Sequence, residues 1–101
     1  MIKVKISKAG TTFNSLEVKG HAKSAPKGHD LVCAAVSAII IGGLNNLQAP
    51  KNYDIKLEEG YSLLKANKEV SAHDAVVIET IICGLKTIAE EYGDFITIKA
   101  E

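Results

Sequence analysis

The 101-residue chain contains no Arg and no Trp, and its aromatic residues are limited to two Phe and three Tyr. Without Arg, all twelve positive charges are Lys, and twelve Asp plus Glu balance them to a formal net charge of zero. Bidentate clamping of phosphate and reading of base edges both favour the planar guanidinium, and a neutral chain projects no broad basic field. Direct nucleic-acid binding is therefore not expected. The lack of large aromatics leaves a core of Ile, Val, Leu and Ala, whose stability margin at this length is thin enough for a partner subunit to help. Long hydrophobic runs are missing too. The longest, Leu31 to Leu44, is too short to span a bilayer and carries paired Gly. The opening MIKVKISKAG alternates charged with apolar residues and has no apolar block of a secretory signal, so a cytoplasmic protein off the membrane is expected. Two Cys without an export signal are expected to stay reduced rather than form a disulfide.

What is present, 47% apolar and 24% charged residues, describes one ordinary globular domain over residues 1–101. Ile2, Val4 and Ile6 alternate with Lys3, Lys5 and Ser7, which predicts a strand with one lysine-lined wet face, and Phe13 to Val18 reads as its hairpin mate. Between Gly20 and His29 the sequence turns small and polar, a loop long enough to suggest a gate over a site. Asp30 reads as the N-cap of a helix running to about Gln48 and stopped by Pro50. Val32, Val36, Ile39, Ile40 and Leu47 form its bulky stripe, and Ala35, Ala38 and Gly42 form a small-residue stripe that another backbone can approach. A second hairpin follows, Tyr53 to Leu57 and Tyr61 to Ala66 around Glu59-Gly60. Ser71 starts a second helix, with Asp74 in place of the usual Glu of a capping box and an apolar face from Ala72, Val76, Ile78, Ile81, Ile82, Leu85 and Ile88. Phe95, Ile96 and Ile98 make the last strand. The order ββαββαβ predicts an α+β domain, a mostly antiparallel sheet packed with two helices.

Cys33 stands three residues after the cap Asp30, in a first helical turn, where unpaired N–H groups and the macrodipole favour a thiolate. His21 and His29 flank the loop leading into that turn, so either is a candidate base for a thiol nucleophile. An isolated Cys on an apolar helix is more often a small buried hydrophobe, and Cys83, among Ile81, Ile82 and Leu85, reads that way. Zinc is the competing use of His21, His29 and Cys33, but no CxxC or HxxxH pair supports it, and neither metal nor cofactor is expected. His73 reads as a surface or capping residue. Lys19, Lys23 and Lys27 read first as solvated loop charges, with a basic rim for a substrate as the functional alternative. Asp30 is explained by capping, although it could also orient a His; Ser37, one turn below Cys33, either packs or touches substrate. A redox role would need a resolving thiol, and Cys83 on another helix is poorly placed for it.

Gly20-His21-Ala22, followed by Gly28-His29-Asp30-Leu31-Val32-Cys33-Ala34-Ala35-Val36-Ser37-Ala38, resembles the ribosomal-processing cysteine protease family of Firmicutes and related bacteria. The resemblance extends more weakly through the Asn45 region and the Leu85 to Tyr92 segment. It implies a cytosolic homodimeric endopeptidase that removes a short N-terminal extension from a large-subunit ribosomal protein near the peptidyl-transferase centre. His21 and Cys33 stand where the family has its catalytic pair, and Gly20, His29, Asp30 and Ser37 fall on supporting motif positions. A non-catalytic ribosome-assembly module of the same fold is the alternative, and such a module has no need of the Cys33 thiol.

Overall fold

The computed structural model describes residues 1–21 and 30–101. Five strands, β1 (Ile2–Ala9), β2 (Thr12–Lys19), β3 (Tyr53–Glu58), β4 (Tyr61–Ala66) and β5 (Ile96–Ala100), form one sheet in the order β3-β4-β2-β1-β5. Two helices, α1 (Leu31–Leu44) and α2 (Ala72–Glu91), complete the ββαββαβ order. β1 and β2 pair antiparallel, as do β3 and β4, and the two hairpins join through an antiparallel β2–β4 pairing. β5 instead runs parallel to β1, Ile2 opposite Ile96, because α2 carries the chain back across the sheet before it enters the edge. The sheet is thus mixed, antiparallel in three of its four pairings.

The alternation in the first strand has the predicted effect: Ile2, Val4 and Ile6 are buried while Lys3 and Lys5 are exposed. Leu16 and Val18 of β2, Leu64 of β4 and Ile96 of β5 join them in a core shared with Val32, Val36 and Ile40 of α1 and Val77, Ile78, Ile81, Leu85 and Ile88 of α2. Both helices therefore lie on one face of the sheet. They meet closely at two glycines: a Cβ at Gly43 would run into the Ile81 side chain, and one at Gly84 would come within 2.9 Å of Ile39. This close approach does not use the predicted Ala35, Ala38 and Gly42 stripe, for a Cβ at Gly42 would meet nothing within 4 Å.

Three sequence expectations are corrected here. α1 stops at Leu44 rather than near Gln48, with Asn45 at its C-cap. Leu47 turns under into the core, and the Gln48 N–H leaves the helical ladder to bond the Asp74 carboxylate at 2.9 Å. Val76 is 62% exposed rather than part of the apolar face of α2. Ser71 does cap α2, its Oγ accepting from the Asp74 N–H at 3.1 Å, but the Asp74 side chain does not complete a capping box. It turns inward, is almost fully buried, and accepts hydrogen bonds from Gln48 and from the Tyr53 hydroxyl.

Candidate active site

α1 begins as its sequence predicts. Asp30 adopts an extended backbone, and its Oδ1 accepts the Cys33 N–H at 3.0 Å, while its carbonyl accepts the Ala34 N–H at 3.1 Å as the first intrahelical bond. Cys33 is half-buried in that first turn, with Ser37 exposed one turn further along the same side.

Across from it, β2 ends at Lys19 and the chain bends sharply at Gly20, whose φ of 105° is closed to ordinary L side chains. The Gly20 N–H donates to the Gly60 carbonyl at 2.9 Å, and a Cβ at Gly20 would collide with the Met1 carbonyl oxygen. His21 follows directly. Its carbonyl accepts a 2.7 Å hydrogen bond from the Met1 amino group.

These two ends enclose a cleft of about 640 Å³. Gly20, His21, Asp30, Cys33 and Ser37 all line it, so five of the residues singled out in the sequence share one concavity. Ile2, Val18, Val36 and Ile40 supply its apolar floor. The sixth residue, His29, lies outside the described residues, as do Lys23, Lys27 and most of the loop assigned a gating role.

The remaining wall was not foreseen: Glu58, Glu59, Gly60, Tyr61 and Ser62, the end of β3, the turn and the start of β4. The turn itself was readable from Glu59-Gly60. Its position beside His21 was not, because it follows from β4 pairing with β2, some forty residues away in sequence. Tyr61 anchors this wall through a 2.8 Å hydrogen bond to Glu17. That bond, with burial and the charges of Glu17 and Glu58, raises the Tyr61 pKa above the usual phenol value.

The other sequence candidates fall elsewhere. Cys83 is exposed on α2, which corrects its reading as a buried hydrophobe: two residues from both Ile81 and Leu85, it sits on the far side of the helix. His73 is partly exposed, with Nδ1 3.0 Å from Asp74. Among the described residues no cluster of three or more His, Cys, Asp or Glu could hold a metal ion, and no helix is long and apolar enough to cross a membrane.

A half-buried thiol at a capped helix start, a histidine on the same cleft and an apolar floor for an extended chain make an arrangement suited to nucleophilic attack on a peptide carbonyl. The relatives of this chain agree with that chemistry. The family model described as "Cysteine protease Prp" matches residues 1–97. The ribosomal processing cysteine protease Prp of Mycoplasma genitalium is 37% identical over 101 residues, covering 100% of this chain and 97% of that protein. The protein of the same name from Bacillus subtilis is 33% identical over 88 residues, 79% of each chain. Among solved structures, the essential ribosomal processing protease Prp from S. aureus, in complex with a covalently linked product peptide, superposes with a TM-score of 0.89 at 27% identity over 100% of both chains. Its complex with a substrate peptide gives 0.83 at 26% identity, again over 100% of both.

Proposed function

The chain belongs to the cysteine protease Prp family and is a cysteine protease, and from that premise we propose that Cys33 is its nucleophile and His21 its general base. The observation that carries this reading is the single cleft that holds both residues, with Cys33 in the first turn of a helix capped by Asp30. In this mechanism the His21 imidazole takes the thiol proton and Cys33 Sγ attacks the scissile carbonyl carbon. The tetrahedral adduct collapses to a thioester as His21 returns the proton to the departing amine. Water then attacks the thioester, giving its proton to His21, and the acid product leaves as Cys33 recovers its thiol. Oxyanion stabilisation falls to the start of α1. The Cys33 N–H is already held by the Asp30 carboxylate, which leaves the first-turn N–H groups of Leu31 and Val32, ahead of the first intrahelical bond, as the donors.

The substrate we assign is a large-subunit ribosomal protein precursor, cut to remove its N-terminal extension during ribosome maturation in the cytoplasm. The M. genitalium and B. subtilis relatives are named for ribosomal processing, and the S. aureus relative binds substrate and product peptides. Gly20 shapes the turn that delivers His21, Asp30 caps the helix, and Ser37 and His29 support the substrate. The protein acts as a homodimer through its helical layer, where exposed Ile41 and Val76 and the groove between Ala38, Gly42, Val76 and Thr80 leave apolar surface uncovered. No cofactor and no direct nucleic-acid contact belong to this function.

Incubation with the host's full-length large-subunit ribosomal proteins, followed by intact-mass spectrometry, tests reaction and substrate together. One protein should lose an N-terminal segment with the wild type and stay intact with Cys33→Ala or His21→Ala. Cleavage by Cys33→Ala at the wild-type rate overturns the nucleophile, and a set of proteins that all stay intact overturns the substrate.

A further inference from the structure

We infer that Gly60, at the turn between β3 and β4, is a positioning residue for the reaction: its bare α-carbon is the seat on which the His21 imidazole rests. The proposal rests on His21 being the general base. A Cβ at Gly60 would lie 2.6 Å from His21 Nε2, 3.1 Å from Cε1 and 3.4 Å from Cδ2, so the ring stands directly over this one residue of the hairpin. The same turn fixes the backbone beneath the ring, because the Gly60 carbonyl accepts the Gly20 N–H at 2.9 Å. One tight turn thus sets both the path of the chain into His21 and the surface its side chain lies on. No side chain can occupy that surface without moving the ring.

What would have to yield is the end of a side chain, not backbone. His21 is exposed, so a Cβ at Gly60 displaces the imidazole and leaves the core in place. A displacement of about an ångström in a proton-transferring group costs on the order of 10²-fold in turnover, while peptide binding along the apolar floor is kept. The fold also contains a built-in control. Gly10, in the turn between β1 and β2, has a φ of 66°, close to the 73° of Gly60, yet a Cβ there meets nothing within 4 Å. The same substitution at the two turns carries the same left-handed backbone strain and differs only in what the new carbon touches.

The test compares Gly60→Ala, Gly60→Asn, Gly10→Ala, Gly10→Asn and His21→Ala, with cleavage of the full-length ribosomal protein precursor and the alkylation rate of Cys33 by iodoacetamide followed across pH. The Asn variants keep the Cβ and tolerate the left-handed backbone, so they report on the ring even where Ala unfolds the hairpin. Cys83 is a second free thiol and is exposed, so alkylation at Cys33 is followed by peptide mapping. The Gly60 variants should lose kcat on the order of 10²-fold with KM within about two-fold, and their alkylation profile should move toward that of His21→Ala. The Gly10 variants should match the wild type in both. Wild-type kcat and alkylation profile in folded Gly60→Asn, with His21→Ala inactive, overturns the seat and leaves the base assignment standing. Wild-type activity in His21→Ala overturns the base assignment, and the seat with it.

Discussion

Replacing Asp74 should be among the most damaging single changes available to this protein, although the residue lies outside the cleft. Its carboxylate is 1% exposed and gathers the far end of the fold: the Gln48 N–H at 2.9 Å, the Tyr53 hydroxyl at 3.0 Å, His73 Nδ1 at 3.0 Å, and the Ala49 N–H. Burial pushes the Asp74 pKa up, but the bonds from Gln48, His73, Tyr53 and Ala49 outweigh it, and the carboxyl sits below its usual range. Asp74→Ala orphans donors whose burial without a partner costs about 1–3 kcal/mol each, relieved in part by water entering beside His73. A total of about 3–4 kcal/mol is expected, a large share of the 5–15 kcal/mol that typically holds a small domain, whereas Asp74→Asn, keeping one carbonyl acceptor, should cost about 1–2 kcal/mol. Urea denaturation across pH reads these values. Because the folded carboxyl pKa is lowered, its contribution is complete above about pH 5 and is lost as pH falls through the folded value, so Asp74→Asn should flatten the acid limb of stability. Burial, and then the bond and charge of Asp74, push the Tyr53 hydroxyl up to about 12. Its contribution is therefore complete below the usual phenol pKa and is lost as pH rises toward about 12, and phenolate absorbance should show Tyr53 ionising earlier in Asp74→Asn. An Asp74→Ala protein with the wild-type urea midpoint, or an Asp74→Asn protein with the wild-type acid limb, refutes this reasoning.

Cys83→Ala should change stability by no more than about 0.5 kcal/mol, since the thiol is exposed rather than packed, and a thiol-titrating reagent should find Cys83 in the native wild type. Asp30→Ala should cost about 1 kcal/mol by loss of the cap on the Cys33 N–H, measured by thermal unfolding, and should lower turnover beyond that loss by freeing the first turn of α1. Gly43→Ala should destabilise by about 1–3 kcal/mol in the same measurement, because the added methyl meets Ile81 in the helix contact, while Gly42→Ala, with nothing in its way, should be neutral or slightly stabilising.

Much of the candidate site was legible because its parts are local. The Asp30 side chain caps a backbone N–H three residues on, Gly20 marks a left-handed bend, and Cys33 and Ser37 share a helix side by periodicity alone. The strands announce themselves in the same way, through two-residue alternation such as Ile2-Lys3-Val4-Lys5-Ile6, and Ser71 signals the start of α2 through a bond that spans three residues. These determinants act within about one turn of helix or one strand, so the chain states them wherever it folds.

Other features belong to the tertiary structure. α1 ends at Leu44 as the Asn46 and Leu47 N–H groups turn to carbonyls three residues back, and the Gln48 N–H beyond them goes to Asp74, an acceptor that nothing between Leu44 and Pro50 reveals. Gly43 and Gly84, rather than Gly42, take the helix contact because the sheet fixes which side of α1 faces α2. β5 becomes parallel to β1 only through the crossover of α2, and the Glu59-Gly60 turn reaches His21 only through the pairing of β4 with β2. Periodicity and capping record what each segment does with its own backbone; which segments meet is settled by burying all their apolar faces at once, a condition that no single stretch of sequence contains.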